Sequence, residues 1–502
     1  MPEQRQRRGL GRLLRDTLSY GMGSVAVRAG QVLLIPVLTR ALSPTGYGLL
    51  DLDTSTMLFV AMALALGLDA ATWRFYFEVD DDRQRRSILV SALYTQLAVS
   101  LLVTGLLALT APLWVQPLIG QPGQADNVRI ILCAVPCSVA LGTFTTVLRA
   151  RFMVARANVL AVLQLGCVAG ANVAAIALHH GDLHGVVAST AAGYAVATAA
   201  GVALLGRDLL GRWSWGWTRT LLGYGLPLVP ASIALWSLPV AGRFIMSHLG
   251  GAGDVALLAL AGKLVALIGL AMSAFQFAWG PFAMSIARQA DARAVYARAL
   301  AYVVAGGVCL TAALSVVADP LLRVVSTGAY AGAARLIPWL GLGAVATGAY
   351  YVTQIGASIA KKPGLIAWSL LAGAGVNLAL AAALAPLFGA EGVAAASFAG
   401  LAVAAWLPAV LGRRHVAVDY TLRGVLPLLA VATAIAFAGG RILVTPRAAD
   451  VLLRLAMLGA LAVCALVAAR RAGLVAVLQR RLRRSMASTL SPVSVATTTG
   501  AE

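Results

Sequence analysis

Charge is what this chain has least of. Only 12% of its 502 residues are Asp, Glu, Lys or Arg, acidic residues number 19, and 60% are apolar. A soluble domain carries about a quarter charged residues, so a surface wetted on all sides is excluded. Cysteine is scarce as well. Cys133, Cys137, Cys167, Cys309 and Cys464 all fall in apolar runs, at no zinc or disulfide spacing, and are read as packing residues. No Ser-His-Asp set, phosphate-binding Gly loop or Walker motif occurs, so neither hydrolytic catalysis nor ATP-driven pumping has support. The stretch HHGDLH at 179–184 superficially resembles a metal site, but its spacing matches no standard ligand set. It reads as a solvated loop, and no metal or other cofactor is expected.

What the chain does have is a mean hydropathy of +0.85 and a succession of long apolar runs. A helix of about 20 residues spans a hydrocarbon core of about 30 Å, and only helices or closed barrels satisfy every backbone group in lipid. Runs this long and continuous are helices. The fold class is all-α and polytopic, with about 14 transmembrane helices: 18–41, 48–75, 88–111, 128–149, 157–178, 185–205, 221–247, 255–284, 297–318, 333–358, 364–385, 393–412, 423–440 and 450–469. The loops between them are too short for a folded soluble domain.

Most of the 39 Lys and Arg fall in alternate connections. Arg5, Arg7, Arg8, Arg12 and Arg15 begin the set, Arg83, Arg85 and Arg86 continue it, and Arg480, Arg481, Arg483 and Arg484 close it. This alternation is the positive-inside pattern, with both termini cytoplasmic. It also accounts for the net charge of +20 without nucleic acid, since basic loops meet anionic lipid headgroups. No cleavable signal peptide is expected, because the first apolar run is of full spanning length and follows a basic start. The tail SMASTLSPVSVATTTGAE is small, polar and expected to be disordered.

Three landmarks recur at nearly one offset. Tyr20-Gly21 returns as Tyr224-Gly225, Pro36 and Arg40 return as Pro239 and Arg243, and Asn172 returns as Asn377. A duplication of about 204 residues makes spans 1–6 and 7–12 equivalent and, six being even, parallel. The expected organisation is therefore a basic start (1–17), a first lobe (18–205), a second lobe (221–412), an appended pair (423–469) and a cytoplasmic tail (470–502).

The pattern IPVLTRALSPTGYG, then LGLDAATWRFY, LPVAGRFIMSHLGGAGDVALLALAGKL, FQFAWGPFAMS, TGAYAGAARLIPWL and VNLALAAALAPLFGAEGVAAAS resembles the oligosaccharide (polysaccharide-repeat) flippases. Their superfamily also holds the lipid II flippases and the MATE drug exporters. The similarity runs through most of residues 15–412 and rests on the order of the motifs rather than on any one of them. It implies a bacterial cytoplasmic-membrane protein with a twelve-helix, two-lobed core around a cationic cavity. Such a protein carries an undecaprenyl-diphosphate-linked oligosaccharide to the outer leaflet for surface polysaccharide, without being an enzyme. Its implied partners are that lipid, the bilayer and the polymerase or glycosyltransferase machinery. Two departures stand out: Gly242 precedes Arg243 where members often have an acid, and Ala381 replaces a common Asn.

A diphosphate and its sugars cross hydrocarbon only at great cost unless a wet, cationic chamber receives them. Arg suits that chamber, because its planar fork binds phosphate bidentately and stays charged. Arg28, deep in the first span, is the leading candidate, with structural pairing to Asp53 or Asp69 as its alternative. Gln31 lies on a similar face. Lys263 follows, against snorkelling to the interface. Arg40 and Arg243 are repeat-related cations near the outer end, and Arg74 lies at the inner mouth. Gln276 belongs to a polar set with Gln164, Gln354, Asn172 and Asn377, which either binds sugar or joins helices. Trp236, Trp279 and Trp406 either stack on sugars or mark the interface. Pro227, Pro230 and Pro239 give span 7 places to bend. Coupling would draw on an H⁺ or Na⁺ gradient, the membrane potential or product consumption. Two other readings remain: a MATE-type exporter, which would need buried carboxylates, and a polysaccharide polymerase or ligase, for which the outer loop APLWVQPLIGQPGQADN carries too little charge.

Overall fold

The computed structural model describes residues 26–179, 182–206, 211–414, 418–441 and 447–471. The basic start, the Tyr20-Gly21 landmark and the tail beyond 471 lie outside them. Among the described residues no strand occurs, eleven helical stretches are long and apolar enough to cross a membrane, and fourteen helices follow one another in the expected order. They are α1 (26–41), α2 (Pro44–Glu78), α3 (Asp82–Leu109), α4 (Ala125–Ala150), α5 (Val154–His179), α6 (Leu183–Leu205) and α7 (Trp215–Leu249). Then come α8 (Ala252–Ser285), α9 (Ala292–Val325), α10 (Gly328–Ile359), α11 (363–388), α12 (390–411), α13 (Leu426–Gly439) and α14 (Arg447–Arg471). Each overlaps the apolar run expected in its place.

The differences are local. α11 and α12 form a tight hairpin with no loop between them: the chain reverses at Gly389, which takes φ 56° and ψ −138°, a conformation that side chains resist. A short helix, Ala111–Ile119, occupies the connection before α4, started by Pro112 and ended at Gly120 with φ 73°. α2 and α7 are longer than their apolar runs and each is interrupted. α2 breaks at Leu66 and Gly67, both at positive φ, and α7 breaks at the 3-10 turn Leu226–Leu228 around Pro227. These breaks touch: a methyl on Gly67 would collide with the Gly225 carbonyl, and one on Gly225 with the Leu66 carbonyl.

Helices α3 to α6 pack together around α2 as one lobe, and α7 to α12 pack as a second. With little hydrophobic drive between helices in lipid, close approach comes from small residues. In the first lobe Gly193 of α6 lies against the backbone of Val168 in α5, and in the second Gly373 of α11 lies against the Gly400 carbonyl of α12. Buried amides add bonds between helices: Asn172 of α5 accepts from Ser189 and Thr190 of α6 at 2.8 and 2.9 Å, while Asn377 of α11 donates to the Leu238 carbonyl of α7 at 2.5 Å.

The two faces of the bundle differ. One carries the basic connections around 80–86, 149–156 and 286–298 and is called here the basic face; the other is the opposite face. At the opposite face the lobes are locked together. Thr39 and Arg40 of α1 donate to the carbonyls of Val325 and Val324 at 3.2 Å each, and Tyr47 stacks edge-on against Tyr330 at 5.8 Å. Gly48 of α2 lies so close to Ala252 of α8 that any Cβ would strike the carbonyl. His248 of α7 reaches the Pro117 carbonyl at 3.0 Å.

The appended α13 and α14 dock on α9. Gly439 abuts the Val316 backbone, and the buried Arg454 of α14 binds Asp450 at 2.9 Å, Asp319 of α9 at 3.5 Å and the Val316 carbonyl at 2.5 Å. Truncating one member of a buried ion pair strands the others and costs roughly 3–5 kcal/mol. Arg454→Ala is therefore expected to lower the Tm of the purified protein in detergent well below wild type; an unchanged Tm would contradict this docking.

Candidate functional site: two cavities and a cationic seam

The lobe interface is flanked by two cavities. The first-lobe cavity, about 380 Å³, lies among α1, α2, α5 and α6 with a wall from α7 and α8. The second-lobe cavity, about 430 Å³, lies among α7, α8, α10 and α12, with Arg28 of α1 entering it. Arg243 lines both. Among the described residues, four charged ones line the pair: Arg28, Arg243, Lys263 and Asp51.

Arg28 lies about 20 Å along α1 from the opposite-face end, at 1.5 Å per residue, and so near mid-membrane. Its guanidinium donates to the Ala266 carbonyl at 2.7 Å and reaches Ser273 Oγ at 3.5 Å, both on α8. It pairs with neither Asp53 nor Asp69. Lys263 of α8 donates to Tyr47 Oη at 2.7 Å and lies 4.6 Å from that ring's centroid, so it points across the seam instead of snorkelling outward. Arg28 and Lys263 have no carboxylate partner among the described residues. Arg243 does: Nη1 lies 2.7 Å from Asp51 Oδ2, an ion pair from α7 to α2 across the lobes, with both side chains largely shielded. Three cations against one carboxylate leave two positive charges uncompensated.

The remaining expected residues distribute as follows. Gln31 lines the first-lobe cavity. Gln276 lines neither cavity and bonds Tyr351, which does line the second. Arg40 is exposed at the opposite face, held by the Val324 carbonyl away from both cavities. Arg74 is exposed at the basic face, paired with Glu78 at 3.2 Å and lying 4.8 Å over the Tyr224 ring. Pro239 lines the second-lobe cavity in the middle of α7, and Pro227 and Pro230 lie at that helix's 3-10 interruption.

Sequence reasoning passed over Asp51 as the partner of Arg243, and Tyr47 as that of Lys263. No local signal marked either, since the partners stand 192 and 216 positions apart in the chain. His184, part of the metal-like stretch, bonds Asn127 at 3.0 Å, and no cluster fit for a metal exists among the described residues. Trp279 is buried in a second-lobe aromatic cluster with Phe275 and Tyr296, while Trp236 lines the first-lobe cavity. Asp53 is fully buried, and neither carboxylate oxygen has a partner among the described residues.

Two helical lobes, locked at one face around mid-membrane cavities, define a polytopic membrane protein with an architecture that transporters use. The chain belongs to the polysaccharide biosynthesis protein family, whose pattern matches residues 13–286. No curated protein matches it in sequence. Among solved structures, the lipid II flippase MurJ in an inward closed conformation superposes with a TM-score of 0.68 at 10% identity, covering 91% of this chain and 99% of MurJ. An inward-facing multidrug resistance MATE family transporter of the MOP superfamily gives 0.63 at 16% identity, covering 78% and 97%. A MOP superfamily transporter from Pyrococcus furiosus, described by the reverse polarity of its binding pocket, gives 0.54 at 16%, covering 80% and 95%. At these identities the likeness is one of fold.

The Asp51–Arg243 pair ties the lobes at the opposite face, so weakening it should favour states open there. In a cysteine-free background, Asp51→Asn is expected to raise the labelling of a Thr54→Cys reporter by an impermeant maleimide added on the opposite-face side. Equal labelling with and without the substitution would show that the pair does not hold the lobes shut.

Proposed function

We propose that this protein flips an undecaprenyl-diphosphate-linked oligosaccharide across the bacterial cytoplasmic membrane, for assembly of surface polysaccharide. The observation that carries the reading is the pair of uncompensated positive charges, Arg28 and Lys263, held at the lobe interface. A diphosphate diester carries two negative charges, which match that excess. On insertion scales a charged residue at the centre of a spanning helix costs roughly 3 kcal/mol, so two of them kept without carboxylates point to an anionic ligand that completes the site. Binding through Arg28 uses its fork, which reaches two phosphate oxygens; Lys263 acts as a point charge. Arg243 can exchange Asp51 for a phosphate oxygen, so that arrival of substrate loosens the tie between the lobes. The prenyl tail stays in the bilayer throughout.

The basic face is taken as cytoplasmic by the positive-inside rule, which makes the described state the one that loads from inside. Opening toward the other side requires the Arg243–Asp51, Lys263–Tyr47 and Thr39–Val325 contacts to part, and the touching breaks of α2 and α7 supply a pivot. Coupling is to the H⁺ or Na⁺ gradient or to the membrane potential. No group-transfer chemistry is assigned to the chain. A cationic-drug exporter would need a free carboxylate in its cavity, and here the one carboxylate among the described residues lining either cavity is bound to Arg243.

Proteoliposomes loaded with fluorescent undecaprenyl-diphosphate oligosaccharide test this. Wild type is expected to expose the lipid to an outside quencher faster than empty liposomes do, and Arg28→Ala to slow it by roughly 10- to 100-fold, as the loss of a charge-assisted bond of about 1.5–3 kcal/mol dictates. Arg28→Lys should fall between. Translocation at the protein-free rate by wild type would reject the assignment.

A further inference from the structure

The two cavities are close in size but differ in the kind of polar group they hold. Gln31, Gln164 and Asn172 line the first-lobe cavity, whereas no carboxamide lines the second. In the second-lobe cavity the polar groups are mostly hydroxyls already satisfied by their own helices: Ser273 donates to the Gly269 carbonyl and Thr347 to the Gly343 carbonyl. A hydroxyl can close its valence on the preceding turn, but a carboxamide has two donors and an acceptor and cannot. In the first-lobe cavity that capacity is only partly used. Gln164 bonds Tyr194, and Asn172 uses its oxygen on Ser189 and Thr190, while the Asn172 amide nitrogen, the Gln31 side chain and the Trp236 ring nitrogen have no hydrogen-bond partner among the described residues. Trp236 also offers an aromatic ring at the same wall, set beside Phe59 at 5.3 Å.

Unspent amide donors and acceptors beside an indole, in a chamber at the low end of the ordinary 300–1,000 Å³ ligand range, suit an uncharged, polyhydroxylated ring with one apolar face. The charges of this cavity, Asp51, Arg243 and Lys263, all lie on its α2–α7–α8 wall, toward the seam. We infer that the first-lobe cavity is the glycan subsite, receiving the sugar nearest the diphosphate, with Gln31, Gln164 and Asn172 bonding its hydroxyls and Trp236 covering its apolar face. This rests on the flippase reading above and gives it a direction. The diphosphate lies across the seam between Arg28, Lys263 and Arg243, with the sugar turned into the first lobe and the prenyl chain turned away from it.

Equilibrium binding to the full-length protein in nanodiscs, with two probes, tests the subsite. One is undecaprenyl-diphosphate oligosaccharide extracted from the host's own membranes; the other is undecaprenyl diphosphate with no sugar. Gln31→Leu is expected to weaken the sugared probe by about fivefold, the equivalent of one hydrogen bond near 1 kcal/mol, and to leave the bare diphosphate within twofold. Trp236→Leu should do the same and Trp236→Phe recover part of the loss. The double change Gln164→Leu with Tyr194→Phe removes a bonded pair together, strands neither partner, and should again affect only the sugared probe. Arg28→Ala should weaken both. If the first-lobe substitutions affect both probes alike, or neither, the glycan subsite is wrong. If Arg28→Ala leaves the bare diphosphate untouched, the flippase reading itself fails.

Discussion

A charged side chain in the middle of a bilayer has to be given something to bind. Arg28 and Lys263 are given only neutral partners, a carbonyl in one case and a phenol in the other. Neither neutralises the charge, and the carboxylate that could is already held by Arg243. Much of the architecture serves to keep this arrangement in place. α8 carries Lys263 and receives Arg28, and it is pressed against α2 through the Gly48–Ala252 approach, which leaves no room for a side chain. α7 carries Arg243 and is tied to α2 by Asp51. The cations are thus set on the contact surface between two lobes, where any change in lobe packing changes what they can touch.

Under the proposed function, that placement would couple binding to conformation by simple exchange. An anion entering the seam would compete with Asp51 for Arg243, and that pair is one of the ties at the opposite face. The helices on either side of it are built to move: α2 and α7 both lose regular geometry on the basic-face side, and their interruptions meet backbone to backbone at Gly67 and Gly225. A glycine contact permits rotation with little side-chain obstruction, since neither partner has a Cβ to unlock. Pro239 adds a missing hydrogen bond at the cavity level of α7. By contrast α13 and α14 hold to the outside of α9 through a buried charge network and contribute to neither cavity.

The span pattern was legible because each helix must be apolar over its whole length, and an apolar run leaves its mark on sequence whatever it packs against. Arg28 and Lys263 stood out for the same reason: a charge is conspicuous in such a run. Pairings across the lobes were not legible. Asp51 and Arg243 are 192 positions apart, and nothing local distinguishes an Asp that will meet an Arg from Asp53, two residues on, which meets nothing among the described residues. Arg40 and Arg243 occupy matching places in the repeat, yet one is drawn outward to a helix end and the other inward to a carboxylate. A repeat fixes where a residue lies along its helix, and the neighbouring helix decides what it does there. Arg74 shows the converse: a position at the basic end of a span is satisfied locally, by Glu78 one turn on and by an aromatic ring.

The central claim is that the seam is an anion site completed by substrate. An experimental structure of the protein in nanodiscs, with its host's undecaprenyl-diphosphate oligosaccharide bound, tests it most directly. The account predicts diphosphate density between Arg28, Lys263 and Arg243, within hydrogen-bonding distance of at least two of them. Density for the diphosphate elsewhere in the protein, with Arg28 still on the Ala266 carbonyl and Lys263 still on Tyr47, would contradict it.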